Sequence, residues 1–212
     1  MKINNLPKTI PIFPLANAIF FPNTILPLNI FEDRYIELVN DCMKQQRLIG
    51  MVQPKLKSKE NFDVYKVGCL GKITNFKETN DNRFIITLSG IIRFKIEKEL
   101  NSNKLYRLFK VNYSDFINDL KLIEFDKKKH NLINFLKKVK FFFKKKNYLI
   151  EFEKLEKLNF DQLVNTICMI APFSIEEKQK LIETIALEKK IKVLEEIIDF
   201  NLVEGLQSNL VQ

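Results

Sequence analysis

Two periodicities divide the chain. Up to about residue 115, short β-branched and aromatic runs alternate with turn residues; beyond it, apolar residues recur at helical spacing. In the first part, residues 10–13 and 24–30 read as short strands interrupted by Pro14, Pro22 and Pro27. Proline has no ladder donor, so these are expected to be edge or kinked strands rather than central ones. Residues 32–46 read as one amphipathic helix, with Tyr35, Ile36, Leu38, Val39, Cys42 and Met43 along its stripe and Glu32 and Asp33 at its positive end. Residues 47–53 form a strand ended by Pro54. The clearest hairpin follows. Two alternating runs flank Asn80, Asp81 and Asn82, residues that tolerate a tight turn. Gly68, Gly71 and Gly90 lie within or between these strands and signal bulges or sharp bends, as in a small closed or partly closed barrel. Residues 105–113 add another strand.

After residue 115 the pattern predicts helices over 125–146, 159–169 and 187–200. Leu132, Phe135, Leu136, Val139, Phe142 and Phe143 share one side of the first. Ser174 with Glu177 three residues on is a capping box, and it opens a further helix just after Pro172. The expected organisation is therefore α+β, with a β-barrel over 1–115 and a helical bundle over 116–212.

Composition narrows the chemistry. The chain has 212 residues, and its one histidine, three cysteines and five scattered glycines leave no room for a cysteine/histidine zinc site, a disulfide framework or a phosphate-cradling loop. No metal or other cofactor is expected. The net charge of +9 is uneven: residues 121–157 carry 12 basic and 5 acidic groups. Nucleic acid could meet such a segment, but 30 of the 35 basic residues are lysine, and arginine is the better fork for phosphate and bases. Nucleic acid is thus the alternative rather than the first reading. Prolines interrupt the N-terminus where a secretory signal needs an apolar run, and no 18 consecutive apolar residues occur. Together with separated cysteines in apolar settings, this favours a reduced, cytoplasmic protein with no membrane partner.

The candidate chemical groups are weak. His130 sits among lysines at the start of the basic helix with no signalled partner, and is read as solvated. Cys42 and Cys69 are read as buried apolar residues. Glu97 and Glu99, flanked by lysines, and Glu151, Glu153 and Glu156 are read as solvated charges. The stronger signal is apolar: phenylalanines and leucines crowd around prolines between residues 13 and 31. Such irregular strands at a barrel edge can offer a groove to an extended peptide. The candidate peptide-binding residues are Phe13, Leu15, Phe20, Phe21, Leu28, Phe31, Arg34 and Tyr35. Arg34 either orients a peptide carboxylate or carbonyl, or pairs with Glu32 or Asp33. Phe141 falls among lysines on the polar side of its helix, and is a candidate contact for a partner or a second copy of the chain.

Three blocks resemble the substrate-binding N-terminal domain of the Lon protease family. The first is Ile12-Phe13-Pro14-Leu15, Phe21-Pro22 and Leu26 to Glu32, followed by Arg34-Tyr35. The second runs from Val67-Gly68-Cys69-Leu70-Gly71-Lys72-Ile73 through Asp81-Asn82-Arg83-Phe84 to Leu88-Ser89-Gly90 and Arg93-Phe94. The third, from Ala171, resembles the C-terminal helices of stand-alone bacterial members. The sequence departs from the family pattern at Asn17, where glycine is common, at Asp33, where proline is common, and in its lysine- and phenylalanine-rich helices. The resemblance implies a PUA-like β pseudo-barrel followed by a helical bundle, without the ATPase and peptidase modules of full proteases. It implies a non-enzymatic module that holds unfolded or extended polypeptide, with a protease or a chaperone as further expected partners; a second copy of the chain is expected only through Phe141. The alternative is an RNA- or other nucleic-acid-binding PUA-like protein using residues 121–157.

Overall fold

The computed structural model describes residues 3–16, 18–55, 63–121 and 132–207. The chain divides into two compact units, residues 1–122 and 123–212.

The first unit is built on a six-stranded sheet: β1 (Thr9–Pro14), β2 (Ile25–Ile30), β3 (Leu48–Val52), β4 (Val67–Glu78), β5 (Phe84–Leu100) and β6 (Arg107–Asn112). The strand order is β2-β5-β4-β3-β1-β6, and β6 returns to pair with the second half of β5. The sheet thus closes on itself as a pseudo-barrel, with β2 outside the closed ring on the first half of β5. Asn82, at φ 60°, supplies the left-handed position of the β4–β5 turn. Ile10, Ile12, Leu70, Ile92, Phe94, Phe109 and Val111 fill the barrel. The glycines serve close approach here. A Cβ on Gly90 would lie 2.1 Å from the Phe21 carbonyl oxygen, and one on Gly68 would lie 2.3 Å from the Met51 carbonyl oxygen.

β1 is not an edge strand, contrary to the expectation from its prolines. It pairs with β6 through Thr9–Ile12 and in parallel with β3 through Ile12–Pro14. The strand exchanges neighbours midway. Lys8 accepts from the Val111 N–H on the β6 side, and Leu15 donates to Val52 O on the β3 side. Alternation then turns the Pro11 nitrogen toward β3 before that pairing begins, and Pro14 toward β6 after that pairing ends. Neither proline removes a ladder bond. β2, with Pro27, is an edge strand as expected.

Helix α1 (Asp33–Met43) follows β2, with Glu32 as its N-cap and Tyr35, Leu38, Val39 and Cys42 buried. A 3-10 helix, Ser114–Leu120, packs on β5. Its Phe116 joins the barrel core. Its Asp119 takes two guanidinium bonds from buried Arg93, at 2.7 and 2.9 Å, and one from the Arg93 main chain at 3.0 Å. The junction expected at residue 115 therefore falls later, because this segment supplies part of the first unit's interior.

The second unit comprises α2 (Leu132–Lys145), α3 (Phe152–Leu155), α4 (Phe160–Ile170), α5 (Ile175–Glu183) and α6 (Leu187–Gln207). Phe135, Val139, Phe142 and Phe143 are buried on α2, on the side their spacing selects. The capping box of Ser174 and Glu177 is formed at the start of α5. A short helix, α3, lies where no helix was expected. Lys190 is buried and donates to Asn165 Oδ1 at 2.8 Å, which ties α6 to α4 inside the bundle.

Candidate peptide-binding groove

A groove of about 570 Å³ opens on the barrel unit. One wall is Phe13, Pro14, Leu15 and Ala16, at and just past the end of β1. The other is Leu28, Asn29, Ile30 and Phe31, at the end of β2. Glu32, Arg34 and Tyr35 at the start of α1, with Pro54, Glu99 and Arg107, complete it.

The local sequence explains both walls. Past Ile12, β1 has lost β6 as a neighbour, and Pro14 cannot donate toward that side. Among the described residues, β2 pairs only with β5. The chain turns from β2 directly into α1, so Arg34 and Tyr35 follow the wall by one helical turn. The floor is aromatic: the Phe13 and Tyr35 rings stack at 4.0 Å, with 25° between their planes. Phe31 stands open at 61% exposure, with the Arg83 guanidinium 6.0 Å from its ring.

The groove's charges are paired. Arg34 donates to Glu32 Oε2 from Nε at 2.9 Å and from a terminal nitrogen at 2.7 Å, and it lies 4.5 Å from the Tyr35 ring. Arg107 makes a two-pronged pair with Glu99, both bonds at 2.7 Å. Arg107 holds the Glu99 carboxyl below the usual range, and Glu99 in turn raises Arg107. Burial pushes the Tyr35 hydroxyl up, against a smaller opposing pull from Arg34. Both ion pairs are substantially exposed, so each contributes at most about 1 kcal/mol, and a ligand can compete for them at little cost.

Six of the eight candidate residues meet here: Phe13, Leu15, Leu28, Phe31, Arg34 and Tyr35. Phe20 and Phe21 do not. They are 2% and 0% exposed. The Phe20 ring lies over Gly71, and the Phe21 carbonyl lies against Gly90 and accepts from the Thr24 hydroxyl at 2.7 Å. Fully enclosed rings of this size close the barrel instead of receiving a ligand. Arg34 takes its pairing alternative, with Glu32. Glu99 and Arg107 were not anticipated as groove residues. Arg107 follows the residue 105–106 turn as an ordinary strand cation, and only the β5–β6 register sets it beside Glu99. Glu97 instead pairs with Lys110 at 2.8 Å.

Elsewhere, Phe141 is 51% exposed, with the Lys145 ammonium 5.7 Å from its ring. His130 lies outside the described residues. Cys42, Cys69 and Cys168 are buried thiols outside any disulfide, and burial pushes the Cys42 and Cys168 thiols up to about 12. Among the described residues, no group of three His, Cys, Asp or Glu gathers as a metal site, and no helix is long and apolar enough to cross a membrane.

The family model of the ATP-dependent protease La (LON) substrate-binding domain matches residues 9–199. The chain belongs to that family. Among curated relatives, it is 24% identical over 206 residues to the Lon protease of Anaeromyxobacter dehalogenans, covering 92% of this chain and 23% of that one. It is 26% identical over 211 residues to the Lon protease of Syntrophus aciditrophicus, covering 95% and 26%. The chain thus spans about a quarter of the length of these relatives, and its likeness to them is confined to the substrate-binding region. Two solved Lon structures share the fold. The N-terminal domain of Mycobacterium avium complex Lon protease superposes with a TM-score of 0.66 at 13% identity, covering 91% of this chain and 98% of that one. A Lon N-terminal domain protein from Xanthomonas campestris gives 0.62 at 18%, covering 88% and 96%. The α+β architecture, a β pseudo-barrel and a helical bundle, is that of a Lon substrate-binding domain.

Proposed function

We propose that this member of the Lon substrate-binding family is a non-enzymatic module whose groove holds unfolded or extended polypeptide. One observation carries the reading. The stacked Phe13 and Tyr35 floor lies between two extended chain segments, with the open Phe31 ring at its side and both arginines neutralised by neighbouring carboxylates. A site of this kind favours apolar and aromatic side chains on an extended backbone, and is indifferent to net charge. Its affinity is modest, since ordering a disordered segment costs entropy. The family supports a protein ligand and, through it, a partnership with a Lon protease or a chaperone.

The nucleic-acid alternative has less support. In the described part of segment 121–157, Lys138, Lys140 and Lys154 already pair with Asp199, Glu156 and Glu151.

Titration with a reduced, alkylated protein that cannot refold, against the same protein native, tests the proposal. Saturable binding of the unfolded form alone, insensitive to salt, is expected. Equal binding of both forms, or none of either, overturns it. RNA binding that weakens steeply with salt would favour the alternative.

A further inference from the structure

Leu28, Asn29, Ile30 and Phe31 all line the groove. On a pleated strand, neighbouring side chains point to opposite faces. A wall touched by three consecutive strand residues, Leu28 to Ile30, is therefore the edge of the strand, not one of its faces. Among the described residues, β2 pairs on one side only, with β5. The other side carries whichever main-chain groups point away from β5.

One bond settles which groups those are. The Gly90 N–H donates to Thr24 O at 2.9 Å, just before β2 begins. Alternate residues of an antiparallel strand face the partner, so Leu26, Leu28 and Ile30 face β5, while Ile25, Pro27 and Asn29 face outward. The proline agrees: an outward position is the one where a missing N–H costs the ladder nothing. Across the groove, the open side of β1 presents Pro14, which has no donor either. Asn29 lies opposite Ile85 in the β2–β5 register but turns its own N–H outward; among the described residues of the two strands it is therefore the outward N–H nearest the aromatic floor, and no described main-chain group accepts from it.

We propose that the groove receives its polypeptide as an added strand on the outer edge of β2. This rests on the reading of the groove as a polypeptide site. Asn29 exchanges main-chain hydrogen bonds with the guest, Pro27 accepts through its carbonyl but offers no donor, and the ladder stops there. The occupant is an extended segment with apolar residues at alternate positions and a free N–H opposite Asn29. Main-chain bonds give grip on many sequences, and the aromatic floor selects alternate side chains. The stop at Pro27 keeps the edge from recruiting an open-ended sheet.

The test uses the full chain and a fluorescein-labelled synthetic peptide alternating phenylalanine with serine, plus copies N-methylated at one position at a time. Methylation at alternate positions is expected to weaken binding about tenfold, the effect of leaving a buried acceptor unpaired. Methylation at the positions between is expected to change little. Pro27→Ala, which adds an outward donor, should tighten binding severalfold. Binding of the parent peptide with equal affinity for every methylated copy would overturn strand addition and leave groove binding intact. No binding of the parent would overturn both. A disulfide-linked dimer of Asn29→Cys that forms in place of peptide binding would make a second copy the occupant, and also overturns the proposal.

Discussion

The rings of Phe13 and Tyr35 are stacked, 4.0 Å between centroids and 25° between planes. They come from the end of β1 and the first turn of α1, so the contact fastens the helix to the barrel while forming the groove floor. Tyr35→Ala is expected to cost about 3 kcal/mol in urea unfolding, from lost ring burial and the cavity left behind. Tyr35→Phe keeps the stack and should lose less than about 1 kcal/mol.

Phe31 separates binding from stability. Its ring is largely in solvent, so Phe31→Ala should shift the unfolding free energy by no more than about 0.5 kcal/mol. Affinity for an unfolded chain should fall about tenfold, as for loss of an aromatic anchor. A calorimetric titration beside a melting curve reads both.

Gly90 admits no side chain. A Cβ would sit 2.1 Å from the Phe21 carbonyl oxygen and 3.2 Å from Pro22 Cα, both main chain. Gly90→Ala should destabilise by at least about 2 kcal/mol in denaturant titration, since backbone cannot move aside as a side-chain tip can.

Asp119 neutralises Arg93, with both side chains nearly buried. Asp119→Ala removes the carboxylate bonded to a buried guanidinium inside the barrel unit, and should cost about 3–5 kcal/mol in urea unfolding. The Arg93→Met, Asp119→Leu double variant should recover much of that loss, because it removes the charge together with its partner.

Alkaline pH should unfold the barrel. Burial raises the Tyr35 and Tyr113 hydroxyls above their usual value, and burial followed by the bond to Asp41 raises Tyr106. The folded state therefore prefers neutral tyrosine. The stability this contributes is fully present below about pH 10, the unfolded value, and is lost as pH rises through the higher folded values. Urea midpoints followed upward from about pH 9, alongside tyrosinate absorbance, should fall together, and Tyr35→Phe should reduce the slope.

Local pattern made much of the architecture legible. Residues 84–88 alternate between faces as their sequence does, with Phe84, Ile86 and Leu88 buried. The α2 stripe and the Ser174 capping box need only neighbours three or four residues away. The groove was half legible: the proline-broken aromatic run marked where it lies, but could not divide its own rings. Phe20, Phe21 and Phe31 are the same residue type in the same stretch. Two became barrel closure and one remained open: the Phe20 ring packs over Gly71 and the Phe21 main chain lies against Gly90, both strands away in sequence, while Phe31 stays in solvent.

The order of turns, the helix stripes, the caps and the apolar character of residues 13–31 belonged to the sequence by itself, because each depends on contacts a few residues apart. The closure of β6 on β5, the exchange of neighbours along β1, the pairing of Arg107 with Glu99 and the open edge of β2 were decided only by the tertiary structure. These are registers between distant segments. A register is chosen by the packing of the whole barrel, which no short window of sequence contains.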